Sequence, residues 1–287
     1  MHTSSPQPLV VVTGGTGKTG RRVVERLTRH GVAVRPASRS VAPVFDWERP
    51  DTWSRVLAGA TSIYVAYAPD LGFPGAVDTV RELCAAAART GVRQVVLLSG
   101  RGEPGAEAAE SSVRDSGLRW TVVRASWFAQ NFSEGHLTDQ VLAGLIALPA
   151  GDVSEPFVDA EDIADVAVAA LLDDGHGHDE CTYDVTGPRL MSFADAAADL
   201  TAAIGRRVRY AELTAEDYVD TATGQGLPVS LARHLAHLMA TVLDGRNAHV
   251  GGGVREALGR APTDFRDYAR SAAAAGAWDL ANLGAPT

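Results

Sequence analysis

The chain has 287 residues, 46% hydrophobic and 21% charged, which fits one large folded domain with a smaller companion and excludes a fibrous or disordered class. Its net charge of −9, from 35 acidic and 26 basic residues without a basic stripe, argues against a nucleic-acid partner. Cys84 and Cys181 make no disulfide framework, no apolar run approaches the ~20 residues that span a bilayer, and Met1 to Pro8 lack a signal-peptide pattern, so a cytoplasmic protein with no membrane partner, a monomer or homodimer acting on a small molecule, is expected.

Leu9 to Val12 is a short apolar run that meets a glycine-rich turn, and Lys18 to Arg29 then carries Val23, Val24 and Leu27 at helical spacing. Val32–Ala37, Ser62–Ala66, Gln94–Leu98 and Trp120–Arg124 read as buried strands, separated by helical patterns over Val77–Arg89 and Glu107–Ser116. Strands that alternate with helices and read as continuous Val/Leu/Ile runs predict a doubly wound α/β fold of Rossmann type with a parallel sheet. After Arg124 the pattern changes. Ser126–Ala150 is mixed and aromatic-bearing, Pro156–Val158 reads as a short strand, and Asp159 is a good N-cap for a helix to Leu172. Thr182–Val185 and Val208–Leu213 are strand-like, Ser192 and Thr214 cap helices, and the remainder is mostly helical to about Ala275. The expected division is 1–125 plus 151–187 for a dinucleotide-binding domain, and 126–150 plus 188–287 for a small, mostly helical substrate lobe.

Gly14, Gly17 and Gly20 have G-x-x-G-x-x-G spacing between a buried strand and a helix, within Thr13-Gly14-Gly15-Thr16-Gly17-Lys18-Thr19-Gly20. That context suits a pyrophosphate: one glycine turns the chain, one lets backbone N–H groups approach, and one lets the helix pack closely. Gly17-Lys18-Thr19 also resembles the end of a nucleoside-triphosphate P-loop, but the glycine required five residues earlier is Val12. Lys18 is the single lysine, which excludes any mechanism needing a lysine elsewhere. At the end of the second strand stand Ser38 and Arg39, where an acid would bind the ribose hydroxyls of NAD; Arg39 and Ser38, helped by Lys18, suit the 2′-phosphate of NADP(H).

The glycine loop, Asp46-Trp47, Trp127-Phe128-x-x-Asn131-Phe132, Asp162-Ile163-Ala164, Thr186-Gly187-Pro188 and Leu258-Gly259-Arg260-x-Pro262 resemble the NmrA-like atypical short-chain dehydrogenase/reductases. The resemblance runs from about Leu9 to Tyr268 and is nearest the branch that includes festuclavine and agroclavine dehydrogenases. It implies a Rossmann domain, a small C-terminal substrate lobe, NADP(H), and reduction of an iminium or related acceptor. By the same resemblance Asp46 and Trp47 flank the adenine, Tyr67, Ala68 and Pro69 pass near the ribose and nicotinamide, and Ser99 ends the strand beneath the nicotinamide. The departure lies in the chemistry. No tyrosine has lysine four residues later, so the proton relay of ordinary short-chain dehydrogenases is missing.

An iminium carbon needs no simultaneous proton donor, only alignment and nearby negative charge. Ser99, Glu103 and Glu107 are the expected catalytic positions, with Glu103 or Glu107 offsetting the charge, and Glu110 lies on the same segment. Trp127, Phe128 and Phe132 are expected to wall an apolar pocket, with Asn131 orienting the substrate. His176-x-His178-Asp179-Glu180-Cys181 matches no zinc spacing, so no metal is expected, and His234 and His237 read as helix-surface or pocket-rim residues. The expected activity is NADPH-dependent reduction of a small, secondary-metabolite iminium, enone or carbonyl acceptor. A redox sensor that binds NADP(H) without turnover, and a non-redox cyclase or isomerase, are the alternatives.

Overall fold

A computed structural model of the chain describes residues 8–135, 137–174 and 177–279. Strand and helix alternate from the start: β1 (Leu9–Thr13), α1 (Lys18–Arg29), β2 (Ala33–Ala37), α2 (Trp53–Leu57), β3 (Ser62–Val65), α3 (Ala76–Arg89), β4 (Gln94–Gly100), α4 (Pro104–Arg114) and β5 (Arg119–Ala125). There follow α5 (Thr138–Ala143), β6 (Leu145–Leu148), α6 (Ala160–Leu172), β7 (Cys181–Val185), α7 (Phe193–Ile204), β8 (Arg209–Glu212), α8 (Ala215–Gly224), α9 (Val229–Val242), α10 (Gly253–Leu258) and α11 (Phe265–Ala274). Six strands make one parallel sheet in the order β2-β1-β3-β4-β5-β7.

The pleat of a strand sends successive side chains to opposite faces, and both faces here are covered. Val11, Ile63, Val65, Val95 and Leu97 pack under α2, α3 and α4, against Val56, Leu57, Val80, Leu83 and Val113. Val10, Val12, Tyr64, Val96 and Val123 turn the other way and meet Val23 and Leu27 of α1 and Ile163, Ala167 and Leu171 of α6. This explains why the strands read as unbroken apolar runs. The chain leaves β1 toward β2 on one side and returns to β3 on the other, so a crevice opens at the carboxyl ends of β1 and β3.

A third core lies in the lobe, where Phe132, Phe157, Phe193 and Phe265 are fully buried. Phe132 meets Phe157 and Phe265 edge-on, with ring centroids 5.7 and 5.4 Å apart. The lobe also holds a parallel ribbon of β6 with β8, and β6 lies inside the stretch read from sequence only as mixed. Pro156–Val158 is not a strand of any sheet; Val158 makes a single bridge to Phe128, and Glu155 one to Met191. The lobe does not take everything after residue 188: the apolar side of α10 returns to the first domain, burying Val254 with the α6 face of the main sheet.

Several motif residues hold these parts together. Asp159 caps α6 by accepting from the Glu161 N–H and also accepts from Gln130. Asp162, fully buried, accepts from Arg260 and from the Thr263 N–H, both at 2.6 Å. Glu110 is the buried junction of α4 with β4 and β5. It accepts from Ser99 at 2.7 Å, from Arg114 at 2.9 Å and from two nitrogens of Arg124 at 2.9 and 2.5 Å. Burial opposes its ionisation, but the hydrogen bonds from Arg124 and Ser99 outweigh it and hold the carboxyl below its ordinary range. Glu110→Ala would leave two arginines without their buried partner. It should lower unfolding free energy by about 3 kcal/mol, read as a lower denaturant midpoint with unchanged slope.

Candidate active site

The turn after β1 is shaped for an anion. Gly14 has φ +60°, the left-handed region, and its carbonyl accepts from the Gly17 N–H at 2.8 Å. Gly20 leaves no space for a side chain, since a Cβ there would stand 2.1 Å from the Gly14 oxygen; α1 therefore starts tight against the loop. The N-cap of α1 is Gly17, with no side-chain cap and no acid in the first turn, so neither competes for the leading N–H groups. This cradle fits a pyrophosphate. Thr16 is exposed on the loop and Thr19 is buried under it. Thr13 ties the loop to the next strand, accepting from the Ala66 N–H at 2.9 Å.

Beyond β2, Ser38 bonds to Ser40 while the Arg39 side chain is exposed at the crevice edge. Trp47 packs on Tyr67 at 4.7 Å and edge-on to Phe45 at 4.8 Å, and Asp46 turns the chain by accepting from the Glu48 N–H. Ala68 and Pro69 follow on the loop after β3.

Next to this groove lies a cavity of about 370 Å³. On the sheet side it is lined by Lys18, Tyr67, Pro69, Asp70, Leu71, Ser99, Arg101 and Glu103, and on the lobe side by Trp127, Phe128, Asn131, Glu155 and residues of α9 including Leu235 and Leu238. Lys18 donates to Asn131 at 2.8 Å, so one side chain borders both the phosphate loop and the cavity. Burial lowers the Lys18 pKa, partly offset by Glu134. Glu103 is the cavity's distinctive group. Its carboxyl lies over Gly100, where a Cβ would come 2.2 Å from Oε1. Burial, reinforced by the nearby charge of Asp70, pushes it up to about 8.

Residues 14–174 match the NAD(P)H-binding family. The chain belongs to this family. It is 33% identical to the (4-alkanoyl-5-oxo-2,5-dihydrofuran-3-yl)methyl phosphate reductase of Streptomyces griseus, covering 91% of this chain and 96% of the relative. It is 32% identical to the NAD(P)H azoreductase of Xenophilus azovorans, over 93% and 99% of the two chains, and 30% identical to the festuclavine dehydrogenase of Aspergillus fumigatus, over 91% and 96%. In fold it is similar to the Citrobacter sp. triphenylmethane reductase complexed with NADP(H), with a TM-score of 0.72, 18% identity, and coverage of 92% and 99%.

Within this NAD(P)H-binding chain the structure redistributes several expected positions. Glu107 does not reach the cavity; it lies on the exposed face of α4, which starts at Pro104, so that Glu110 takes the inward position. Phe132 is not a pocket wall, because its ring is buried in the lobe core. Ser99 lines the cavity, but its hydroxyl is engaged by Glu110. Trp127, Phe128, Asn131 and Glu103 do border the cavity. His234, on α9, stands 3.4 Å from Asp70 at the rim and packs against Phe73 at 3.8 Å. The sequence reading missed Asp70, Arg101 and Glu155, which come from separate loops with no shared spacing. His178 pairs with the Tyr183 hydroxyl at 2.8 Å and Cys181 with the Asp179 carbonyl, while His176 lies outside the described residues.

The raised pKa of Glu103 has a consequence for stability. The unfolded carboxyl ionises near 4.5, the folded one near 8, so the folded state holds the extra proton between these values. The stability associated with this group is complete below pH 4.5 and is lost as pH rises to 8. Glu103→Gln, neutral throughout, should match the parent's unfolding free energy near pH 4.5 and exceed it at pH 9 by up to about 3 kcal/mol in a partly open cavity, seen as a higher melting temperature. Equal melting temperatures at pH 9 would show that the carboxyl is not desolvated.

Proposed function

We propose that the chain is an NADPH-dependent reductase of small molecules with a polarised double bond, foremost a conjugated enone or quinone, with Glu103 as proton donor. The observation that carries this reading is the Glu103 carboxyl seated over Gly100 in the cavity beside the cofactor crevice, where burial favours its protonated form. The three relatives are named as an azoreductase, a reductase of an oxo-dihydrofuran phosphate and a festuclavine dehydrogenase, which supports reduction of a small molecule. NADPH, when bound, supplies the hydride.

Glu103 would then protonate the electron-rich carbon or oxygen left on the acceptor, and its carboxylate would regain a proton through the cavity mouth, where Asp70 and His234 stand. Leu71, Leu235 and Leu238 would keep bulk water from the acceptor. An iminium ion remains within the class but would gain little from Glu103, since it needs no proton. The cavity and its acid favour an enzyme over a sensor without turnover.

The cofactor groove is assigned to Gly14, Gly17, Lys18 and Gly20 for the pyrophosphate, Arg39 and Ser38 for a 2′-phosphate, and Trp47 and Tyr67 beside the adenosine. Arg39→Ala should weaken NADPH binding by about tenfold to a hundredfold and leave NADH binding nearly unchanged, measured by calorimetry. Equal losses for both cofactors would remove the 2′-phosphate assignment.

The chemistry is tested by NADPH consumption with 2-cyclohexenone, 1,4-naphthoquinone and a cyclic iminium salt. Glu103→Gln should lower kcat for the enone by roughly a hundredfold or more, and for the iminium salt by less than about threefold. The parent rate with the enone should fall as pH rises through 8. A uniform loss across all acceptors would mean that Glu103 shapes the cavity and does not give the proton.

A further inference from the structure

Lys18 is the first residue of α1 and the link between the phosphate loop and the lobe. Its ammonium donates to Asn131 Oδ1 at 2.8 Å, and Gly135 keeps room for it, since a Cβ there would stand 2.9 Å from Nζ. An ammonium can only donate, so this contact decides how the Asn131 amide is turned: oxygen toward Lys18, Nδ2 away from it. Asn131 sits in the short helical turn Ala129–Phe132 after β5, with its backbone N–H closed on the Phe128 carbonyl at 3.1 Å. The residue is half-buried and lines the lobe side of the cavity with Trp127 and Phe128. Its Nδ2 meets no protein acceptor among the described residues and is not sealed from solvent.

An open amide N–H on a cavity wall calls for an oxygen that accepts. The pyrophosphate cradle lies at the N–H groups of α1, whereas Asn131 belongs to the opposite, lobe wall, so a guest in the cavity is the fitting partner. The charges around it select the kind of oxygen. Asp70, Glu103 and Glu155 line the same cavity, and its two cations are already engaged, Lys18 by Asn131 and Arg101 by Asp184 at 3.0 Å. A carboxylate guest would meet three acids and no free cation. A neutral carbonyl avoids that repulsion, and its oxygen is the atom on which charge grows when hydride is added to a conjugated acceptor.

We propose that Asn131 donates its Nδ2 N–H to the carbonyl oxygen of the acceptor, and that Lys18 is the positioning residue that holds the amide in this orientation. The ammonium has three protons, so one stays on Asn131 while another meets a phosphate of the cofactor. The proposal rests on the reading of this cavity as the substrate site, and it narrows the acceptor to enones and quinones, which carry such an oxygen. A C–H bond forms as hydride reaches the β-carbon of an enone; the C=C pair shifts toward the carbonyl carbon and the C=O pair moves onto oxygen. The Asn131 hydrogen bond strengthens as that oxygen becomes negative. The proton from Glu103 then goes to the α-carbon and the C=O bond re-forms, so the acceptor gains one hydride and one proton while NADPH becomes NADP⁺.

Infrared spectroscopy reads this hydrogen bond without turnover. The NADP⁺-loaded protein is given 1-tetralone, a ketone that NADP⁺ cannot reduce, with ¹²C or ¹³C at the carbonyl, and the isotope difference isolates the C=O stretch. In the parent the stretch should lie below its position in hexane, because a donated N–H weakens the C=O bond. Asn131→Asp keeps an acceptor for Lys18 and loses the N–H, and Asn131→Leu loses both; each should return the stretch toward its hexane position. Lys18→Met, at saturating NADP⁺, frees the amide to turn and should give both a parent-like and a hexane-like band. With 2-cyclohexenone, Asn131→Leu should lower kcat by roughly a hundredfold, against less than about threefold for the cyclic iminium salt. No saturable band, a hexane-like band in the parent, or an unmoved band in both Asn131 variants would overturn the proposal. An unmoved band together with an NADP⁺ affinity about tenfold weaker in Asn131→Asp would give the amide to the cofactor instead. A single parent-like band in Lys18→Met would remove Lys18 from the pair. A band that moves as described, in a protein that consumes no NADPH with the enone, would keep the pair and lose the reductase reading.

Discussion

The structure turns on the clasp between the first turns of α1 and the segment Asn131–Glu134. Lys18 donates to Asn131, Arg21 and Arg22 both pair with Glu134, and Arg22 also reaches Glu161 at the start of α6. Exposed ion pairs contribute little one at a time, but these share partners, and Arg22 is mostly buried. Burial alone would lower the Arg22 pKa, and its hydrogen bonds to Glu134 and Glu161 reverse that sign. Just before that segment, Gln130 donates to Asp159 and accepts from the Ala160 N–H. The clasp thus fixes the start of the phosphate-loop helix, the cap of α6 and the lobe side of the cavity together.

Desolvation gives the cavity its character. Glu110 and Glu103 lie seven residues apart on one segment, yet their carboxyls are driven in opposite directions. Glu110 is enclosed by donors from Arg114, Arg124 and Ser99 and stays charged. Among the described residues Glu103 has no comparable set of donors, and burial, reinforced by the like charge of Asp70, pushes it up to about 8. The same residue type is a structural anchor in one place and a candidate acid in the other, and the difference lies in which donors surround it.

Much of the architecture was legible because local signals agreed with tertiary demand. The glycine spacing required a strand before it and a helix after it, and Ser192 and Thr214 cap α7 and α8 through Asp195 and Asp217 as their chemistry suggests. β6 was not legible. Four residues, Leu145–Leu148, gain their strand character only from β8, more than sixty positions later. In the site, residues belonging to a contiguous motif could be read, whereas side-chain direction could not. Glu107 and Phe132 have suitable chemistry, but helical phase turns the first to solvent and the aromatic core takes the second. Arg101 and Glu155 line one cavity only through the fold, because their chain separation is bridged by the packing of the lobe on the sheet. The Asp162 motif, too, proves to be an anchor for Arg260 and Thr263, a role that no spacing rule distinguishes from a catalytic one.

The missing tyrosine–lysine pair follows from the same physics. A tyrosine that serves as acid near neutral pH needs a nearby cation to stabilise its phenolate, and the single lysine of this chain is held at the phosphate loop by Asn131. Tyr64, on β3, is fully buried, and desolvation drives its phenol further above the ordinary range. Tyr67 borders the cavity with its ring against Trp47. A buried carboxyl needs no such cation. The apolar surroundings that would disable a phenol bring a carboxyl upward, toward the pH at which it can both hold a proton and release it. In the proposed reaction a half-buried, desolvated glutamate therefore takes the place of the relay.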